Sequence, residues 1–277
     1  MIHSVLSAVK RVIPGRLRRQ FSLRRMPKGA EASRKARRQI FQEQFQQDPK
    51  KIPIYLISFN RLAYLKQIIG WLEEKGYFNL TIIDNASTYP PLLSYYETLP
   101  YRVIHMDQNY GHLVFWKAEQ FAGARKSFYM LSDPDVAPIE ECPDDFAEHF
   151  LKILAKYPRL KKVGFSLKID DLPSDAESGV FNQEVYQWEK RFYKHGMKDG
   201  FFADIDTTFA LYAPDSVTGT DFSYTAFRTA VPYQVRHLPW YKKQGEITEE
   251  DRFYSASKLS SVGAWDPAAT ADRLANP

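Results

Sequence analysis

The chain has 277 residues, 44% hydrophobic and 15% aromatic, enough for a packed domain and too apolar for global disorder. Its net charge of +5 joins two unlike parts: residues 1–51 carry 14 Lys and Arg against 3 Asp and Glu, the remainder 24 against 30. A basic arm therefore precedes a mildly acidic body. The single cysteine, Cys142, excludes an internal disulfide and a cysteine-built zinc site, which suits a reducing compartment.

Residues 5–9 are apolar, but Lys10 and Arg11 cut the run short and no small-residue cleavage site follows. No window approaches the roughly 18 to 20 apolar residues of a membrane span. The expected location is cytoplasmic, with a peripheral hold on the inner face of the cytoplasmic membrane as one option. In the arm, Ile2, Val5, Leu6, Val9 and Ile13 recur at helical spacing before Pro14-Gly15. A second basic helix is expected over residues 32–46, with Ala36, Ile40, Phe41 and Phe45 on one face. Such helices suit an anionic lipid surface, or packing on the body or a partner protein. Nucleic acid is not the expected partner, since no recognised fold or aromatic stacking platform accompanies the charge.

From residue 51 the pattern alternates. Residues 52–57 are a continuous apolar strand, and Asn60 is expected to cap a helix with Leu62, Leu65, Ile68, Ile69 and Leu72 on one face, closed by Gly76. Strands follow at 80–83, 102–105 and 128–131, with helices expected over 92–99 and 113–125. Short strand–helix repeats mean an α/β fold: a mostly parallel twisted sheet with right-handed crossovers, flanked by helices. Further strands are expected at 162–169, 206–212 and 231–238, a helix at 249–258, and a polar loop over 170–188. The domains read as a basic arm at 1–50, a body at 51–262 divided at residue 138, and a loose tail at 263–277.

Ligands of open parallel sheets bind at the strands' carboxyl ends, where the chemistry-bearing residues fall. Asp133-Pro134-Asp135 follows the fourth strand, and two carboxylates so close repel unless a cation such as Mg²⁺ or Mn²⁺ sits by them. A simple turn is the competing reading. Ser58-Phe59-Asn60-Arg61 ends the first strand, Asp84-Asn85-Ala86-Ser87 the second, and Asn109-Tyr110-Gly111-His112 the third.

This succession resembles the nucleotide-binding half of the GT-A-fold glycosyltransferases, especially the family 2-like members of bacterial surface-polysaccharide synthesis. The resemblance spans residues 51–138 and is looser over 162–254. It implies a GT-A-like fold and transfer from a nucleoside-diphosphate sugar to a glycan or lipid-linked acceptor. It also implies a donor site of Ser58, Asn60, Arg61, Asp84, Asn85, Ser87, Asn109, Gly111 and Asp133. Arg61 would hold a phosphate or the base edge, and Asp84 and Asn85 the nucleoside. Asp135, with Asp133 directly or through water, would bind the metal, and His237 would complete its shell. In an inverting reaction Glu250 is the first choice of base and Glu249 the second, with Asp206 and Asp171 as rivals. Trp188, Trp240 and Tyr241 could present flat faces to sugars.

Two other classes compete. A sugar-nucleotide nucleotidyltransferase would carry a glycine-rich loop after the first strand, where residues 58–61 have no glycine. A non-catalytic scaffold or glycan-binding protein on a degenerate transferase fold would bind no nucleotide.

Overall fold

The computed structural model describes residues 30–44, 48–157, 159–174, 182–194, 196–217, 225–243 and 246–258. The helix expected over 2–13, Phe45 and the tail from 263 lie outside the described residues, as do the side chain of Phe41 and residues 175–181 of the expected loop.

The first four strands are β1 (Ile54–Ser58), β2 (Leu80–Asp84), β3 (Arg102–His105) and β4 (Tyr129–Ser132). They lie side by side in the order β3-β2-β1-β4, all parallel. The register sets Ser58 opposite Asp84 and Asp84 opposite His105, so three polar side chains stand abreast at the carboxyl edge.

The basic stretch before them forms α1 (Ala30–Gln44), docked on the body by Arg37 Nη1 donating to the Leu160 carbonyl at 2.9 Å and by Ile40 on the core. Ala36, expected on the packed face, is exposed.

Between β1 and β2 runs α2 (Leu62–Glu74), whose buried Tyr64, Leu65, Ile68, Ile69 and Leu72 form one stripe against the sheet. Gly76, at φ 78°, lies just beyond it in the left-handed conformation that glycine adopts without strain. The second crossover is α3 (Pro90–Tyr96). The continuous helix expected over 113–125 is absent: α4 (Val114–Lys117) is flanked by separate 3₁₀ turns. Phe115 and Phe121, six residues apart, would point to different sides of one helix, yet both are buried and stack at 5.0 Å. Breaking the helix lets both rings reach the sheet.

Beyond β4 the sheet ceases to be mostly parallel. β5 (Val136–Pro138) leaves for a second sheet, and α5 (Phe146–Lys156), absent from the sequence reading, crosses back. The strand expected over 162–169 breaks at Phe165 into β6 (Lys162–Gly164) and β7 (Ser166–Leu167), which join different sheets. The loop expected over 170–188 contains α6 (Asn182–Glu189). The hairpin β8 (Gly196–Met197) and β9 (Gly200–Phe202), then β10 (Ala210–Tyr212), β11 (Ala226–Thr229) and β12 (Gln234–His237) complete the strands among the described residues. The last helix is α7 (Glu249–Ser257).

The main sheet has nine strands in the order β3-β2-β1-β4-β10-β6-β11-β9-β8, and β5-β12-β7 form a second sheet of three. β10 runs antiparallel to both β4 and β6, so the parallel order ends at β4. The chain is thus α/β, with a mixed sheet flanked by helices. Phe146 of α5 knits the two halves, with ring centroids 4.3 Å from Tyr77, 5.4 Å from Phe165 and 5.5 Å from Phe209. Among the described residues no helix is long and apolar enough to cross a membrane.

The packing of β6 on β10 is close at Gly164, where an added Cβ would lie 2.6 Å from the Phe209 carbonyl and 2.7 Å from the Ala210 Cβ. Gly164→Ala is therefore expected to cost about 1–3 kcal/mol through overpacking. A drop in the urea midpoint at unchanged m-value reads it; an unchanged midpoint would mean that the strands part freely there.

Candidate functional site

The polar segments ending β1, β2 and β3 are hydrogen-bonded into one frame. Asp84 Oδ1 accepts from the Ser87 amide at 3.0 Å and from the Tyr96 hydroxyl at 3.2 Å, and Oδ2 lies 2.9 Å from His105 Nδ1. The Tyr96 hydroxyl also reaches Ser58 Oγ at 2.9 Å. Asn85 Nδ2 donates to Asn109 Oδ1 and the Gly111 carbonyl, while its Oδ1 accepts from the Tyr110 amide. Gly111 sits at φ 69°, and its amide donates to Asn109 Oδ1, which folds the turn back on Asn85.

Asn60 does not cap α2. Arg61 occupies that position, without a side-chain cap. Instead the Asn60 Oδ1 accepts from the Thr88 and Tyr89 amides at 2.7 and 3.0 Å, its own amide donates to Ser87 Oγ, and Nδ2 donates to Ser257 Oγ of α7. A left-handed backbone, φ 49°, turns the side chain toward the loop after β2. Ser58, Asn60, Asp84, Asn85, Ser87, Asn109 and Gly111 are therefore together, as their strand-end positions imply, and they brace one another.

Beside this frame is the carboxylate pair. The Asp133 amide donates to the Thr207 carbonyl at 3.0 Å, and its Oδ2 accepts a very short hydrogen bond from Thr207 Oγ1. Burial, with Asp135 and Asp206 nearby, holds the Asp133 carboxyl well above the usual range, against the pull of Thr207. For Asp135 burial also acts upward, but His237 and Arg61 outweigh it and leave the group below its ordinary value. Asp133 is thus the member of the pair that keeps a proton to the higher pH, and Asp135 the one that ionises first.

His237 Nε2 stands 3.5 Å from Asp135 Oδ2, its ring 4.5 Å from Trp240, and the Leu238 amide donates to the Asp135 carbonyl. Pairing of β5 with β12 builds this contact, placing Val136 opposite His237. Among the described residues no three His, Cys, Asp or Glu side chains are grouped as a metal cage. Asp135 with His237 is a two-donor set, partly exposed to solvent. That suits Mg²⁺ or Mn²⁺, which take few protein ligands and complete their shell with phosphate oxygens and water.

The four candidate bases separate. Asp171 is held by Arg236 at 2.5 and 3.0 Å and by the Tyr241 hydroxyl at 2.7 Å; burial raises its carboxyl, but these partners bring it below normal. Such a group is a poor proton acceptor, and Tyr241 is likewise occupied. Glu250 lies over the start of α2, both oxygens 3.2 Å from the Ala63 amide, and burial raises it despite those contacts. Glu249 is exposed. Asp206 is exposed too, interacts electrostatically with Asp133, and accepts from the Thr207 amide. Trp188 stacks on Arg191 at 3.5 Å, and Trp240 is buried, so neither offers an open face.

Several residues here are absent from the sequence reading. Asp251 is 1% exposed, pairs with Arg61 at 3.3 Å and makes a short contact with Lys242. It also accepts from Thr248, closing a capping box on α7. Lys162 is fully buried, its amine bonded to the carbonyls of Ile205 and Asp206 and to the Tyr212 hydroxyl. The acidic start of a helix hinted at Asp251; nothing in the pattern of β6 marked Lys162. No protein-family model matches the chain, and no curated protein is significantly similar to it.

Proposed function

We propose that the protein is a metal-dependent glycosyltransferase of the GT-A type, moving a sugar from a nucleoside-diphosphate sugar to a glycan or lipid-linked acceptor. The observation that carries this reading is the meeting of Asp135, His237 and Arg61 at the carboxyl edge of a parallel β3-β2-β1-β4 sheet, beside the Asp84–Asn85 frame. Open parallel sheets take ligands at that edge. Asp135 and His237 would hold Mn²⁺ or Mg²⁺, with Asp133 fixed by Thr207 behind them. When bound, the cation would neutralise the departing diphosphate.

Arg61 stands at the start of α2, where a cation and a helix N-terminus act together on an anion. The Asp84–His105 pair closes the far end of the edge, where the nucleoside would lie. Asp206, exposed and next to Asp133 in charge terms, is the carboxylate this arrangement offers as base to an acceptor hydroxyl. Glu250 could serve only if α7 left the α2 terminus. The basic α1 would face a membrane or partner without inserting.

Calorimetry of the full chain with UDP and GDP, with and without Mn²⁺, tests the reading. Metal-dependent binding of one nucleotide is expected. Binding of neither would favour the scaffold reading, and pyrophosphate release from a nucleoside triphosphate and a sugar phosphate would favour the nucleotidyltransferase.

A further inference from the structure

Helix α7 is attached in an unusual way. Its one buried residue among those described is Asp251; its rings meet the body where Phe253 lies 5.0 Å from Tyr89, Tyr254 lies 6.1 Å from Phe59, and the Arg61 guanidinium lies 3.9 Å from the Tyr254 ring. Little apolar surface holds it, so polar contacts carry the attachment. Two of these are adjacent carboxylates in positions that attract anions. Glu250 sits on the first amides of α2, and Asp251 sits between Arg61 and Lys242.

The surroundings hold more donors than these carboxylates use. Arg61 Nε and the Tyr64 hydroxyl are buried and lack a hydrogen-bond partner, in residues 4% and 6% exposed. The Arg61 guanidinium lies 5.0 Å from the Tyr64 ring, and the Lys242 amine 5.7 Å from the same ring. Unsatisfied buried donors are costly, and beside two cations they suit a ligand with more acceptor oxygens than a carboxylate has.

We propose that Arg61, Tyr64, Lys242 and the first amides of α2 form a diphosphate cradle, and that Glu250 and Asp251 fill it as an internal stand-in. Two neighbouring carboxylates then take the place of two phosphoryl groups. A diphosphate entering the cradle displaces α7, freeing Glu250 and opening the Asp135 side of the site. The inference rests on the reading of this edge as a diphosphate site and adds its self-blocking strap.

The test uses the full chain with inorganic pyrophosphate and Mg²⁺, and with UDP and GDP, by calorimetry. Asp251→Asn keeps an acceptor for the cap and removes the charge, and is expected to tighten pyrophosphate at least about tenfold. Lys242→Met is expected to weaken it by a similar factor, although it also loosens Asp251. In the unaltered chain, saturating pyrophosphate should speed amide exchange in residues 249–257. Unchanged or weaker binding by a natively folded Asp251→Asn, or slower exchange in α7 on binding, overturns the strap. Should Asp251→Asn not fold, Lys242→Met and the exchange measurement decide, with unchanged binding in Lys242→Met overturning the cradle. The two readings fail separately. Metal-dependent nucleotide binding that needs Asp135 sustains the transferase whatever Asp251→Asn does, whereas tightened pyrophosphate without nucleotide binding sustains the cradle alone.

Discussion

Asp135→Ala is expected to lower transferase turnover by about a thousandfold or more and to remove the metal dependence of nucleotide binding, with the fold intact. A cation at a departing diphosphate supplies several kcal/mol, and each 1.4 kcal/mol is about a factor of ten in rate. The fold should survive, because the Asp135 side chain is 22% exposed and its close side-chain partner among the described residues is His237 at 3.5 Å. Its carbonyl, which the Leu238 amide needs, remains in alanine. Asp133→Ala is a less informative variant, since it also breaks the link to Thr207 that ties β4 to the turn before β10. Titrating Mn²⁺ into the alanine variant with nucleotide present, alongside melting curves, reads both parts. Undiminished metal-dependent binding would remove Asp135 from the site.

The second large effect concerns Lys162. Burial brings its amine down from 10.5 to about 7, with Asp206 opposing and Arg228 assisting. Its amine donates to the Ile205 and Asp206 carbonyls and to the Tyr212 hydroxyl oxygen; burial suppresses that hydroxyl's own ionisation. The unfolded chain keeps its proton up to about 10.5, so between about 7 and 10.5 the unfolded state binds more protons than the folded state. This group's stabilising effect is therefore complete above the unfolded value. It diminishes as pH falls and is gone near 7, at a limiting slope of roughly 1.4 kcal/mol per pH unit.

Lys162→Met removes that slope and leaves two carbonyls of the 205–207 turn without a donor. At pH 9 the variant is expected to be less stable by about 2–4 kcal/mol, since each orphaned buried group costs about 1–3 kcal/mol. The gap should narrow toward pH 7. Urea curves for both proteins at pH 7 and 9 give the difference free of other titrating groups. Parallel pH dependences would mean that the lysine keeps its charge. Thr207 is the next residue along this turn, so loosening it should also disturb Asp133.

Much of the first half was legible because its signals are local. Apolar runs of strand length, an amphipathic stripe and a glycine past the helix end gave β1 and β2 to within two residues and placed α2 between them. The order of polar segments at their carboxyl ends put Ser58, Asp84 and Asn109 on one edge. The second half was legible only in part: the helix expected at 249–258 is α7, and the strands expected at 206–212 and 231–238 contain the shorter β10 and β12. Residues 162–169 read as one strand, yet Phe165 divides them between two sheets, and a tripeptide such as β5 or β9 is too short to carry a period.

Sequence alone determined four of the five buried residues along α2, missing Tyr64, placed the ends of β1 to β4 within one residue, and showed that the basic charge precedes the body. These follow from periodicity and local backbone preference. Tertiary structure alone decided what the polar residues do at that edge. Asn60 braces the β2 turn instead of capping α2, Asp171 is committed to Arg236, and Asp251 meets Arg61 from 190 positions away. Hydrogen bonds and ion pairs depend on directions and distances over a few ångströms, and only the folded chain brings such distant groups within reach.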